Sequence, residues 1–381
     1  MTLDHLNSLF SLVKNPELFG RYITNEHIEN SLGKLPKSYV SVIGKSVLGK
    51  PIYGLSFGRG SKKVLLWSQM HGNESTTTKA LFDVFNLLLT NNQISNTILE
   101  SCTLFVIPIL NPDGAAYYTR LNANEVDLNR DAQELSQAES KVLRNVFDEF
   151  KPDYCFNLHG QRTFYSVGQT NSSSILSFLS PSQDKARSLT ENREIAMGII
   201  SEISDFLQKE IPNGVARYDD GFNLDCVGDT FQRLGVPTIL YEAGHFPNDY
   251  NREEVRRLVF IAILKGLQVI ASGCKGISSD GYFKIPENGK QFCDIIIRNA
   301  LLTDDSSELV DIAVQYREDL VNGKVKFIPV IEQISELEGF FGHKEIEANG
   351  FSVKSANNSE IKVGYENDFV LINNEKISLK P

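Results

Sequence analysis

Residues Val64 to Glu74, VLLWSQMHGNE, constrain the fold more than any other stretch of the chain. Val64-Leu65-Leu66-Trp67 is a continuous apolar run, the pattern of a strand covered on both faces in an α/β sheet. Ser68-Gln69-Met70 ends it, and His71-Gly72-Asn73-Glu74 then sets an imidazole and a carboxylate three residues apart, just before a helical pattern begins. A strand that stops where a helix starts makes a crevice at the carboxyl end of a sheet, where α/β proteins bind ligands. Histidine and glutamate at that edge suit zinc, which takes imidazole nitrogen and carboxylate oxygen at about 2 Å. The expectation is a two-ligand clamp whose third ligand comes from elsewhere.

The pattern before and after this stretch is that of an α/β domain. Leu3, Leu6, Phe10 and Val13 recur at helical spacing, and Tyr39–Ile43 and Ile52–Phe57 read as a hairpin. Ala80, Leu81, Val84, Phe85 and Leu88 mark one helix face, and Cys102–Leu110 is a second apolar strand, closed by the turn signal Asn111-Pro112-Asp113-Gly114. A helix over Glu134–Phe150 leads to a strand over Asp153–Leu158 that ends in His159-Gly160. Residues 168–184, rich in Ser, Gln and Asn, read as a long surface loop. A helix over Lys185–Lys209, a short strand Thr238–Tyr241 ending at Glu242, and a helix over Asn251–Ile270 follow. The texture then changes. Residues 272–281 have the composition of a linker, and short apolar or alternating segments follow at Phe292–Ile297, Val310–Val314, Lys324–Val330, Ile361–Val363 and Phe369–Ile372. These predict a catalytic domain over residues 1–275 and a small antiparallel β domain over 281–381.

Composition narrows the function classes. The net charge is −10 over 381 residues, which argues against nucleic acid or an anionic membrane as partner. No apolar run reaches the ~18 residues of a membrane span. The first residues, MTLDHLNSLFSLVKNPELF, lack the basic, apolar and small-residue regions of a signal peptide. Five cysteines, odd in number and without a CxxC pair, read as reduced thiols, so a cytoplasmic location is expected.

An HxxE pair alone is a weak signal, because six histidines and 48 acidic residues produce such pairs by chance. Repetition strengthens it. Three strands end in a candidate ligand or catalytic group, namely His71, His159 and Glu242, and strand ends on the same side of a parallel sheet meet in space. Between them lies Tyr118–Asp131, unusually rich in Arg and Asn for a segment so close to a buried strand. It reads either as a solvated loop or as an anion site, since Arg presents a planar fork that binds carboxylate bidentately.

With these residues in view, the sequence resembles the zinc metallocarboxypeptidase family, and within it a cytoplasmic bacterial-type member. The resemblance runs from about Lys63 to His245 and rests on HGNE at 71–74, NPDG at 111–114, TR at 119–120, DLNRD at 127–131, His159-Gly160 and YEAG at 241–244, in that order and spacing. It implies a mixed, largely parallel eight-stranded sheet flanked by helices. It implies His71, Glu74 and His159 as ligands of one zinc ion per chain. Glu242 would be the general base that takes a proton from the attacking water and returns it to the leaving amine. Arg120 would stabilise the developing oxyanion, and Asn129 and Arg130 would hold the terminal carboxylate of a peptide or peptide-like substrate. The chain departs from the digestive members at Asn73, where they carry an arginine. The family tyrosine has its nearest candidate in Tyr218, whose surroundings are not diagnostic. Arg162 reads equally as a substrate contact or a surface residue, His245 as a structural neighbour of the site, and Cys226 as a small buried hydrophobe.

The function expected is zinc-dependent hydrolysis of a C-terminal peptide or amide bond. Relatives that cut γ-glutamyl bonds to diaminopimelate make a muropeptide one substrate class. A zinc deacylase of N-acyl amino acids, of the aspartoacylase or succinylglutamate desuccinylase type, and a non-catalytic zinc-binding module are the alternatives.

Overall fold

The computed structural model describes residues 2–305 and 307–381. Its centre is the sheet that the apolar runs predict. Strands β1 (Val40–Lys45), β2 (Pro51–Gly58), β3 (Lys62–Ser68), β4 (Cys102–Ile107) and β5 (Tyr154–Gly160) belong to it. The two-residue strand β6 (Ser166–Val167) pairs outside it, and β7 (Leu176–Leu179), β8 (Val215–Arg217) and β9 (Thr238–Ala243) complete it. The order is β1-β2-β4-β3-β5-β9-β7-β8. The middle four, β4, β3, β5 and β9, run parallel, and β2 and β7 join them antiparallel. This is the mixed, largely parallel eight-stranded sheet that was expected.

Side-chain alternation along these strands builds a core on each face. Val64 and Leu66 of β3 face one cluster together with Leu104, Val106, Phe156 and Leu158. That face is covered by α1 (Leu3–Val13), α3 (Thr76–Leu88), α4 (Gln93–Ser101), α7 (Glu191–Leu207) and α9 (Glu253–Ala271). Leu65 and Trp67 face the other cluster, beneath α6 (Ala138–Phe150) and α8 (Val227–Arg233). On the first face, fully buried Arg256 of α9 bonds Asp83 of α3 at 2.6 Å and the carbonyls of Asn15 and Leu18. The helix that follows Glu74 is thereby fixed to α9 and to the amino-terminal segment.

Several segments depart from the sequence reading. The region 168–184 holds β7, a buried strand, because its serines are inward-facing and bonded. Ser177 Oγ lies 2.6 Å from Ser174 Oγ and donates to Gln161 Oε1 at 3.2 Å. Polar composition there marks a satisfied buried strand, not solvent. Asn111-Pro112-Asp113-Gly114 opens a short helix, α5 (Pro112–Tyr117), where Asn111 Oδ1 caps Gly114 N at 2.8 Å and Pro112 takes a first-turn position. Helix α6 starts at Ala138; just before it, Asp131 accepts from Ser136 N and Gln137 N, both at 2.9 Å.

The chain beyond α9 forms two small sheets. Strands β11 (Phe292–Ala300), β12 (Val310–Val321), β13 (Lys324–Ser335) and β14 (Phe341–Glu347) order as β13-β12-β11-β14, with β11 and β14 parallel. Strands β15 (Val353–Lys354), β16 (Phe369–Ile372) and β17 (Glu375–Ser378) form an antiparallel sheet of three. Ile361–Val363, expected as a strand, is irregular, although Ile361 is buried against the core of this region. These sheets grip the segment that leaves β5. A short strand β10 (Asn288–Gly289) pairs with β6, Gln315 Nε2 donates to Thr163 Oγ1 at 2.6 Å, and His343 Nε2 donates to the Thr163 carbonyl at 2.8 Å. The His343 ring lies 4.3 Å from the buried His245 ring.

Burial holds His343 neutral, with its pKa pushed down to about 4. The unfolded chain takes up this proton near pH 6.5, so the contribution of His343 to stability is full above that pH and is lost as pH falls through about 4. Buried Asp294, pushed up to about 6, acts in the opposite sense, and other shifted groups, Asp229 and the adjacent His245 among them, add to the wild-type profile. The difference between wild type and His343→Asn reports His343 together with its effect on the neighbouring His245. Urea denaturation between pH 7 and 4 is expected to show wild type losing more stability than the variant on acidification; parallel profiles would refute this.

Candidate metal centre

Parallel register brings the strand ends together. Trp67 pairs with Asn157 and Ser68 with Leu158 across β3 and β5, and His159 pairs with Glu242 across β5 and β9. Beyond β3 the chain turns at Gly72, where a Cβ would lie 1.9 Å from the Gly114 carbonyl carbon, so glycine is required by close approach. That turn directs His71 and Glu74 over the end of β5.

The donors converge there. His71 Nδ1 lies 2.9 Å from Glu74 Oε1 and 3.1 Å from His159 Nδ1, and His159 Nδ1 lies 3.0 Å from Glu74 Oε2. One ligand atom from each of the three residues lies within 4.8 Å of the other two. Both imidazoles are 2% exposed. Two nitrogens facing one another beside a carboxylate, away from water, are placed to share a cation. This nitrogen and oxygen donor set fits zinc. Glu74 is further held by Gly160 N at 3.0 Å. Burial pushes its carboxyl up, but the His71 charge and hydrogen bonds from both histidines outweigh this and hold it well below the usual carboxylate range.

One residue with no assigned role in the sequence reading is central. Asp127 Oδ1 lies 3.1 Å from His71 Nε2, so the second ring nitrogen is oriented by a carboxylate, the arrangement that fixes a ligating histidine. The other oxygen, Oδ2, accepts from Arg120 Nε and Nη2, both at 3.1 Å, and Asn129 N donates to Oδ1 at 2.9 Å. Asp127 opens the DLNRD run, which is the one sequence signal for it.

The remaining predicted residues line one cleft of about 340 Å³ with the three donors: Arg120, Asn129, Arg130, Tyr218 and Glu242, joined by Arg162 and Cys226. Arg120 Nη1 reaches 3.5 Å from Glu74 Oε1. Asn129 Oδ1 accepts from Val227 N at 3.1 Å, and Arg130 Nη1 donates to the Asn129 carbonyl at 2.7 Å. Cys226 is not a buried hydrophobe but takes Arg130 Nη1 on its sulfur at 3.1 Å. The Tyr218 ring packs edge-on to Tyr165 at 5.4 Å. Burial, and then the Glu74 carboxylate, push Glu242 well above the ordinary carboxylate range against the pull of Arg120. His245 stands apart from the donor group and packs on Tyr250 and His343.

Fold and site together define an α/β metal protein of zinc-carboxypeptidase type. The zinc carboxypeptidase family profile matches residues 28–258, and the chain belongs to that family. Carboxypeptidase 2 of Trichophyton tonsurans is 30% identical over 128 residues, 33% of this chain and 22% of its own length. Gamma-D-glutamyl-L-diamino acid endopeptidase 1 of Lysinibacillus sphaericus is 33% identical over 97 residues, 22% of this chain and 24% of its own length. The matched region thus spans under a quarter of either relative. The carboxypeptidase A structure from Helicoverpa armigera superposes with a TM-score of 0.54 at 17% identity, covering 72% of this chain and 81% of that one, and shares the fold. No helix among the described residues is long and apolar enough to cross a membrane.

The site predicts a metal inventory. Elemental mass spectrometry is expected to find one zinc per chain, lost in His71→Ala and His159→Ala. Asp127→Asn should weaken zinc binding by about 10–100-fold, as loss of an orienting carboxylate does. Chelation should lower the thermal midpoint by removing the ion that joins β3 to β5; an unchanged midpoint would show that the group holds no metal.

Proposed function

We propose that the chain is a zinc-dependent hydrolase that cleaves the amide bond preceding a residue with a free terminal carboxylate. The observation that carries this reading is the adjacency of Glu242, in register with His159, to the donor group in a cleft that also contains Asn129 and Arg130. Zinc held by His71, Glu74 and His159 would supply a water of lowered pKa and polarise the scissile carbonyl. Glu242 would take a proton from the attacking water as the water oxygen bonds to the carbonyl carbon. It passes the proton to the amide nitrogen as the C–N bond breaks. Its raised affinity for protons suits a base that must also return them. Arg120, braced against Asp127, faces the place where negative charge develops on the carbonyl oxygen. Arg130 has no ion-pair partner among the described residues, and its guanidinium, with the Asn129 amide, receives the terminal carboxylate. Tyr218 borders the same space and packs against the bound residue.

The relative named as a γ-D-glutamyl-L-diamino acid endopeptidase makes γ-glutamyl diamino acid peptides the substrates to try first. Residues 1–275 are the catalytic domain in this reading, and 281–381 an accessory β domain. Five unpaired cysteines support a reducing, cytoplasmic location.

Glu242→Gln should retain zinc while turnover falls by roughly two to four orders of magnitude, as loss of a general base predicts. Full activity in that variant would overturn the assignment. A parallel assay on peptides and on N-acyl amino acids decides between peptidase and deacylase; rapid turnover of the latter alone would refute the peptidase reading.

A further inference from the structure

Arg162 lines the cleft three residues beyond His159, and it has no ion-pair partner among the described residues. Its one ring contact places the guanidinium 5.9 Å from the Phe164 centroid. The carboxylate whose charge it senses, Glu318, is already engaged by Arg21 at 3.0 Å and by the Tyr118 hydroxyl at 2.5 Å. Acids are not scarce in this chain, which has 48 of them against 38 lysines and arginines. Of the other cleft arginines, Arg120 is bonded twice to Asp127.

The backbone on each side of Arg162 is fastened. Gln161 N donates to the Ala243 carbonyl at 2.9 Å, and buried Arg252 donates to the Gln161 carbonyl at 3.0 Å. On the other side, Thr163 is held by Gln315 and His343, and Phe292 N donates to the Phe164 carbonyl at 3.1 Å. The two neighbours are each 7% exposed, while Arg162 itself is exposed to the cleft. Fixing the backbone beneath a long cationic side chain lowers the entropy lost when it binds an anion. Arg130 and Arg162 also have different neighbours in the cleft. Arg130 lies beside Cys226, and Arg162 lies beside Phe164 on the side toward β12.

We propose that Arg162 binds a second carboxylate of the substrate, carried by the residue on the acyl side of the scissile bond. The inference rests on the reading above, in which Arg130 takes the terminal carboxylate. The substrate class is then a peptide whose penultimate residue is acidic. The second carboxylate is either the side chain of an α-linked glutamate or the free α-carboxylate of a γ-linked one.

The test uses the full zinc-loaded chain and three N-acetylated dipeptides with a common terminal residue: α-linked Glu, γ-linked Glu and Gln at the first position. Both kcat/KM and directly measured Kd are read for wild type, Arg162→Gln and Arg162→Lys. Wild type should prefer one of the glutamyl peptides to the Gln peptide by roughly tenfold, the scale of a charge-assisted contact in a partly open cleft. Whichever linkage is preferred identifies the source of the carboxylate. Arg162→Gln should collapse that ratio to about one, mainly through KM, and Arg162→Lys should restore part of it. Zinc content read on the same samples separates this from a collapsed site. Selective binding of a glutamyl peptide without hydrolysis, abolished in Arg162→Gln, would support Arg162 while refuting the hydrolase reading. A ratio near one in wild type, a ratio unchanged by Arg162→Gln, or no binding of any of the three would overturn the proposal.

Discussion

The parallel alignment of β3, β5 and β9 is the constraint on which the site depends. Neighbouring strands lie about 4.8 Å apart, so side chains projecting from their carboxyl ends meet whatever their separation in sequence. His71 and His159 are 88 residues apart, and their ring nitrogens approach to 3.1 Å. Register does the aiming: His159 faces Glu242 because Cys155 faces Thr238 four pairs earlier. Bends finish it. Gly72 admits α5 against the turn after β3, and Gly160 N closes on Glu74. A one-residue slip in any of these pairings would reverse the face on which a donor emerges.

Much of this was legible because buried parallel strands are apolar along their whole length and end abruptly. The runs around Leu66, Phe156 and Leu240 each terminate in a polar group, and that alone nominated His71, His159 and Glu242. Periodicity fails where polar side chains are buried but satisfied. Ser174 and Ser177 hid β7 in this way, since hydrogen bonds to each other and to Gln161 replace the apolar signal. Asp127 escaped for a related reason. A carboxylate in a polar segment looks solvated, and its work, holding His71 and Arg120 at once, is done by contacts to residues 56 and seven positions earlier in the chain. In β14, Phe341–Glu347, charged residues stand along a strand that pairs in parallel with β11, so neither alternation nor a hairpin turn announces it.

The least legible relationship is the one between the chain beyond α9 and the metal crevice. No sequence pattern tells that Gln315 and His343 close on Thr163, because the partners are 152 and 180 residues apart and all polar. The same is true of Glu318. Its two oxygens meet Arg21 and Tyr118, and Tyr118 stands two residues before Arg120 with a left-handed backbone, φ 58°. A non-glycine residue in that conformation persists where its surroundings over-determine it, and the buried hydroxyl-to-carboxylate bond supplies part of that determination.

These contacts make the β sheets more than an appendage. They hold two segments that border the cleft, the one leading into Arg120 and the one leaving His159. A hydrogen bond between charged or buried polar partners is costly to break without replacement, so separating the sheets from the crevice would leave Glu318, Arg21 and Thr163 without these partners. The cost of that separation is a restoring force on the cleft wall. The donor group takes its position from the ends of β3 and β5, with Asp127 bracing His71. The positions of Arg120 and Arg162 draw on both parts of the chain. The donor geometry therefore rests first on the register of β3, β5 and β9, while the appended sheets act on the cleft wall and reach the donor group only through Arg120 and Asp127.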